Sequence, residues 1–209
     1  MVEFCGNDGA TGPSLPARRS RRALLRTGGA FAAAGAVGSL LLVRAEPADT
    51  APSEALDREI FGFALQLEYL QAAFYAAATD AGSLRGEVLE FAETVAGHEQ
   101  EHVDFLRKAL GSSAPDPPEF DFGRALRDQR AFLDSAELLE NTGVAAYNGQ
   151  AANLTKPSLA AAAEIVSVEG RHAAWVSVLA GHDPAPRAAD PGEPARAITA
   201  AIRRTGFLQ

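Results

Sequence analysis

Glu68 and the tetrapeptide Glu99-Gln-Glu-His102 have a counterpart later in the chain, in Glu140 and Glu169-Gly-Arg-His172. Each half supplies a lone Glu followed by one Glu-x-x-His, 31 residues on in the first half and 29 in the second. Glu and His three apart on a helix share a face, so both can reach one ion. Carboxylates bridge cations, and imidazole suits iron, manganese or zinc. A Glu from each of two helices and a Glu-x-x-His from each of two others, all pointing inward, build a dinuclear metal site inside a four-helix bundle. Four carboxylates offset the charge of two divalent ions. Without metal they would repel one another and take up protons, because unpaired buried charge is expensive. Glu68, Glu99, His102, Glu140, Glu169 and His172 are therefore candidate ligands for two divalent ions, and the donor set admits either iron or manganese.

The surroundings of the two halves also match. Leu67 precedes Glu68 and Leu139 precedes Glu140, while Tyr75 and Tyr147 each follow their Glu by seven residues. This repetition suggests an internal duplication. The two tyrosines lie on the same helix face as their Glu. Core packing is the preferred reading for them, with hydrogen bonds to groups behind the ligands, or electron transfer, as alternatives. A competing motif overlaps the first half. His98-Glu99-Gln-Glu-His102 fits His-Glu-x-x-His, in which two histidines bind zinc and the Glu is a general base. That reading leaves Glu68, Glu140, Glu169 and His172 unexplained and names no third ligand. In the bundle reading His98 stands beside the site or on the helix surface.

Apolar residues at helical spacing supply the elements that would hold these groups. After a Ser53 N-cap, the first helix reaches Ala81, with Ile60, Phe63, Ala64, Leu67, Leu70 and Phe74 inward, and stops at Gly82. The second covers 84–110, with Val88, Phe91, Val95, Phe105 and Leu106 inward, and the third covers 125–152, with Phe132, Leu139, Val144 and Tyr147. Lys156-Pro157-Ser158 breaks it, since Pro cannot continue a helix. The fourth runs over 158–180, with Ile165, Val168, Trp175, Val176 and Leu179 inward, and ends at Gly181. At 1.5 Å per residue, Glu68 and Glu99 fall about 21 and 26 Å from their shared turn, and Glu140 and Glu169 about 26 and 18 Å from theirs. The first pair thus sits at nearly one level, and the second matches more loosely. The loop at 111–122 is long enough to run the length of the bundle as a crossover. The Pro-rich tail 182–209 leaves room for a short helix over 194–204.

Composition agrees with an all-α chain: only 7% of the 209 residues are aromatic, and Ala is abundant. Residues 1–45 hold six Arg against Glu3 and Asp8, so the remainder carries 13 basic and 25 acidic residues. A body this acidic argues against nucleic acid as a partner. Ser20-Arg-Arg-Ala-Leu-Leu25, the apolar stretch Ala30–Val43 and Val43-Arg-Ala45 are laid out as a cleavable signal with paired arginines, which implies the twin-arginine export machinery as a partner. The apolar run is shorter than the ~20 residues that span a bilayer, so the mature protein is not expected to cross one. An uncleaved N-terminal anchor is the alternative. Residues 46–52 read as a linker to a bundle over 53–181, placed outside the cytoplasm. The single cysteine, Cys5, lies in the signal, which rules out an intrachain disulfide and thiolate ligands after cleavage.

Leu67-Glu-Tyr-Leu-Gln-Ala-Ala-Phe-Tyr75, Gly97-His-Glu-Gln-Glu-His-Val-Asp-Phe-Leu106, Leu138-Leu-Glu-Asn-Thr-Gly-Val-Ala-Ala-Tyr147 and Ile165-Val-Ser-Val-Glu-Gly-Arg-His-Ala-Ala-Trp175 resemble the bacterial ferritin-like domain family that includes desiccation-related and twin-arginine-exported members. The resemblance covers about residues 54–181. It implies a ferritin-like four-helix bundle with one long crossover between helices 2 and 3, and a di-iron or dimanganese centre. It does not imply iron storage. The functional expectation is redox chemistry on a small oxidant or other substrate, or stress protection. A zinc hydrolase or a non-enzymatic, metal-stabilised envelope protein are the alternatives.

Overall fold

The computed structural model describes residues 51–209. The expected signal and the linker up to residue 50 lie outside the described residues. Four long helices, α1 (Glu54–Asp80), α2 (Gly86–Leu110), α3 (Gln129–Gln150) and α4 (Lys156–Ala180), are followed by a short α5 (Ala195–Thr205). Among the described residues, no helix is long and apolar enough to cross a membrane.

Ser53 caps α1, its hydroxyl accepting from the Leu56 amide at 3.3 Å, and satisfies one of the donors that a helix start leaves free. The start of α3 lies four residues later than its periodicity suggests. The Asp128 carboxylate accepts from the Ala131 amide at 2.8 Å and fixes the start there, while Gly123–Leu126 forms a separate 3-10 turn. Pro157 does not break a helix but begins one. It stands in the first turn of α4, where its missing N–H costs nothing. The α3–α4 break falls earlier, across the 3-10 turn Ala151–Asn153. The α4 start lacks a cap from its own Thr155 side chain. Asp57 of α1 supplies one from across the bundle, accepting from the Thr155 amide at 2.9 Å and from the Thr155 and Ser158 hydroxyls at 2.5 and 2.7 Å.

The crossover can be followed contact by contact. It leaves Leu110 beside the N-terminal part of α1 and receives the Tyr69 hydroxyl on the Pro115 carbonyl. It then lays Phe122 edge-on against Phe74 and ends where the Ser83 hydroxyl donates to the Leu126 carbonyl. Tyr69 to the end of α1 at Asp80 corresponds to about 16 Å of helix axis, and Ser83 lies just beyond it, so the segment runs lengthwise along α1. The tail closes on it. The Asp121 amide donates to the Phe207 carbonyl, and α5 buries Ile198 and Ile202 in the main core. The short helix expected over 194–204 is thus present one residue later, ordered by tertiary packing.

Among the described residues the apolar interior forms two clusters rather than one. The first centres on Phe74, Phe91 and Phe132, with the Phe74 and Phe132 rings stacked at 5.4 Å. The second centres on Leu65, Leu106 and Ile165. Two expectations fail: Phe105 and Trp175 are 39% and 36% exposed. Helical periodicity placed both on the inner stripe, but its edges face solvent in a bundle this narrow.

Candidate metal centre

Each of the four long helices carries one or two charged residues into the interior. Glu99, Glu140 and Glu169 are fully buried, Glu68 is 1% exposed, and His172 and His102 are 2% and 8% exposed. All six candidate ligands meet in one cluster. Both imidazoles turn Nδ1 toward the carboxylates. His102 Nδ1 lies 3.3 Å from Glu68, 3.4 Å from Glu99 Oε2 and 3.2 Å from Glu169 Oε1. His172 Nδ1 lies 3.1 Å from Glu99 Oε1, 3.3 Å from Glu140 and 3.9 Å from Glu169 Oε1. Two overlapping groups result, Glu68–Glu99–His102–Glu169 and Glu99–Glu140–Glu169–His172, each with its donor atoms within 4.8 Å of one another. Either could hold a metal ion, and Glu99 and Glu169 belong to both.

Unmet hydrogen bonding singles out this cluster. Among the described residues, eight buried side-chain nitrogen or oxygen atoms have no hydrogen-bond partner, and seven are here: Glu68 Oε2, both oxygens of Glu99, Glu140 Oε2, Glu169 Oε1 and the two Nδ1 atoms. Gln66 Oε1 is the eighth. Orphaned buried polar atoms are costly and rare in folded proteins. Seven aimed at one another, all carboxylate oxygens or imidazole nitrogens, are the donors that iron or manganese takes. The residues present suit metal binding.

Electrostatics carry the same message. Burial, then the neighbouring carboxylates, push Glu99 and Glu169 well above the usual carboxylate range. Burial also pushes Glu68 upward, but the adjacent His102 imidazole and the Tyr147 hydroxyl bring it below the usual value. Burial pulls His102 down, and the surrounding Glu169, Glu68 and Glu99 outweigh it and push it up to about 12. A core that takes up protons in this way would release them to bound cations.

The oxygens facing away from the cluster are tied down. The Tyr75 hydroxyl on α1 donates to Glu140 Oε1 on α3 at 2.6 Å, and the Tyr147 hydroxyl on α3 donates to Glu68 Oε1 on α1 at 2.6 Å. Both tyrosines pack in the core as expected, but they also bond, each to the Glu of the opposite half. This exchange is the three-dimensional expression of the repeat. Burial and the adjacent carboxylate push both phenols well above their usual range, so they stay protonated donors. His98 stands beside the site: its Nδ1 lies 2.9 Å from His172 Nε2 and the two rings stack at 5.2 Å. Neither metal-competent group includes it.

Gln71 and Gly143 escaped the sequence reading. Gln71, 2% exposed, donates through Nε2 to Glu140 Oε1 at 3.3 Å and to Glu169 Oε2 at 3.4 Å. The signal was its place three residues after Glu68, the spacing of the two Glu-x-x-His pairs. Gly143 holds the equivalent position after Glu140, where a Cβ would lie 2.6 Å from Glu169 Oε2. On the histidine side the centre opens. A groove of about 430 Å³ is lined by His98, Glu101 and His102 of α2 and by Val168, Arg171, His172 and Trp175 of α4. Trp175 braces it edge-on against Phe91 at 5.2 Å. His182, for which the sequence suggested no role, pairs with Glu137 at 2.8 Å, outside the cluster.

A search among curated proteins returns no match. A family model for the ferritin-like domain matches residues 56–182, more than half of the chain and all four long helices to within two residues at the start. With its all-α bundle and buried Glu/His cluster, the chain belongs to the ferritin-like domain family.

Proposed function

We propose that this chain is an exported di-metal carboxylate protein that holds two iron or manganese ions and uses them in redox chemistry on dioxygen or peroxide, in metabolism or stress protection. The observation that carries the reading is the convergence of seven orphaned donor atoms into two groups sharing Glu99 and Glu169. Glu68 and His102 would complete one position, and Glu140 and His172 the other. Two such ions, when bound, supply or accept electrons in pairs at a small oxygen species.

The protein's own residues would do the rest. Tyr75 and Tyr147 hold the outer oxygens of the two lone Glu residues, leaving the inner oxygens for metal. His98 receives the outward face of His172, and a partner on the second ring nitrogen fixes tautomer and orientation in metal-ligating histidines. The aromatic cluster of Phe74, Phe91 and Phe132 keeps water from one side. The groove between α2 and α4 admits a molecule of oxidant size from the other.

Export rests on the sequence alone: Ser20-Arg-Arg-Ala-Leu-Leu25 and the apolar run behind it favour the twin-arginine machinery and a place outside the cytoplasm. Twin-arginine export carries folded cargo, which suits a bundle that closes around its metal. The test loads the purified protein anaerobically with Fe²⁺ or Mn²⁺ and follows dioxygen and peroxide consumption. Turnover that disappears in Glu99→Ala supports the reading. Binding of two ions without turnover would leave a metal-stabilised structural protein instead. Fusing residues 1–50 to a folded reporter tests export, which should stop when Arg21 and Arg22 become Lys.

A further inference from the structure

The two halves repeat in ligands and in tyrosines, but not at the position three residues after the lone Glu. There the first half has Gln71 and the second has Gly143. The Gln71 amide crosses to the other half and holds Glu140 Oε1 and Glu169 Oε2 together. Gly143 makes the room: a Cβ at that position would meet Glu169 Oε2 at 2.6 Å and Gln71 Oε1 at 3.4 Å.

The two shared carboxylates consequently differ. Glu99 leaves both oxygens free, Oε2 facing His102 at 3.4 Å and Oε1 facing His172 at 3.1 Å. Glu169 leaves only Oε1 free, and that oxygen lies nearer His102 (3.2 Å) than His172 (3.9 Å). Glu140 is the more heavily engaged of the two lone carboxylates, accepting from both Tyr75 and Gln71 on one oxygen, whereas Glu68 accepts from Tyr147 alone. The Glu169 and Glu140 differences both favour the Glu68–His102 position.

We infer that Gln71 is a positioning residue that makes the two metal positions unequal, committing Glu169 to the Glu68–His102 side so that this position binds a divalent ion more tightly than the Glu140–His172 side. The inference rests on the di-metal reading above. Freed of the amide, Glu169 Oε2 can turn toward the second position, and the difference shrinks. Loss of a hydrogen bond behind a metal ligand changes metal affinity by about 10- to 100-fold, which sets the size of the effect.

The experiment titrates the metal-free, folded protein with Mn²⁺, reading heat and the Mn²⁺ paramagnetic resonance spectrum together. In wild type the two dissociation constants differ, and half-loaded protein gives the spectrum of isolated Mn²⁺ with little coupled pair. Gln71→Met keeps the size of the side chain but removes the donor. It should still bind two ions, with the ratio of constants reduced about tenfold or more and coupled pairs visible at half loading. Gly143→Ala, whose Cβ would press on Glu169 Oε2 and meet the Gln71 amide only at van der Waals distance, should move the ratio the same way. Equal constants in wild type, or an unchanged ratio in Gln71→Met with both ions bound, overturns this inference and leaves the di-metal reading standing. Fewer than two ions bound by folded wild type overturns the di-metal reading and this inference with it.

Discussion

Glu99→Gln should stabilise the metal-free protein and destabilise the metal-loaded one. Without metal, Glu99 is a fully buried carboxylate with neither oxygen hydrogen-bonded and with Glu68, Glu140 and Glu169 as neighbours. Leaving buried polar groups without partners costs about 1–3 kcal/mol each. An amide at this position cannot ionise, so it ends the need to hold a proton there, and it gains carboxylate oxygens as acceptors. A gain of about 1–3 kcal/mol follows, which raises the Tm of a chain this size by about 2–12 °C. With metal the sign reverses. A site held at one hundred times its Kd contributes ~2.7 kcal/mol, so two sites contribute ~5.4 kcal/mol and raise Tm by about 10–20 °C in wild type. Glu99 belongs to both groups, so its loss weakens both and most of that rise disappears. Thermal unfolding followed by circular dichroism, with chelator and with excess Mn²⁺, reads both arms. Glu93→Gln, an exposed change on the same helix, should shift either Tm by no more than about 2 °C. The reasoning fails if Glu99→Gln lowers the chelated Tm like an ordinary core substitution, or if it keeps the full metal-dependent rise.

Three further outcomes are expected. Glu99, Glu169 and His102 all titrate higher in the fold than in the unfolded chain. Each contributes stability that is complete below its unfolded value and fades as pH rises, so the chelated protein should lose Tm from about pH 5 to about pH 8, while the loaded protein holds or gains because ions displace those protons. Glu68, shifted the other way, acts only as pH falls below its usual 4.5, outside this window. A chelated Tm that climbs over the same range contradicts the assignment. Asp57→Ala should cost about 1–2 kcal/mol in chemical denaturation by uncapping α4, and Asp57→Asn less, because one amide oxygen still accepts. Gly149→Ala should cost about 1–3 kcal/mol and speed hydrogen exchange in α5, since the added Cβ would lie 1.9 Å from the Glu193 carbonyl oxygen.

The candidate ligands were readable because metal binding demands particular side chains, and a helix demands particular spacings between them. Glu68, Glu99, His102, Glu140, Glu169 and His172 meet both demands, and the fold follows from the helices that carry them. What escaped depends on distances between helices, which no periodicity records. Gln71 looks like any polar residue on α1 until Glu140 and Glu169 arrive from α3 and α4. The tyrosines sit on the expected face, yet their partners are in the other half. Trp175 falls on the apolar stripe of α4 but lines an open groove. The cap that Asp57 gives α4 spans 98 positions of sequence from Asp57 to Thr155.

The central claim is that two ions share Glu99 and Glu169. Anomalous diffraction from crystals soaked in Mn²⁺, collected at the manganese edge, locates them directly. Two peaks about 3.5–4 Å apart are expected, one beside His102 Nδ1 and one beside His172 Nδ1, with both shared carboxylates between them. A single peak held by His98 and His102, or no peak within the cluster, would contradict it.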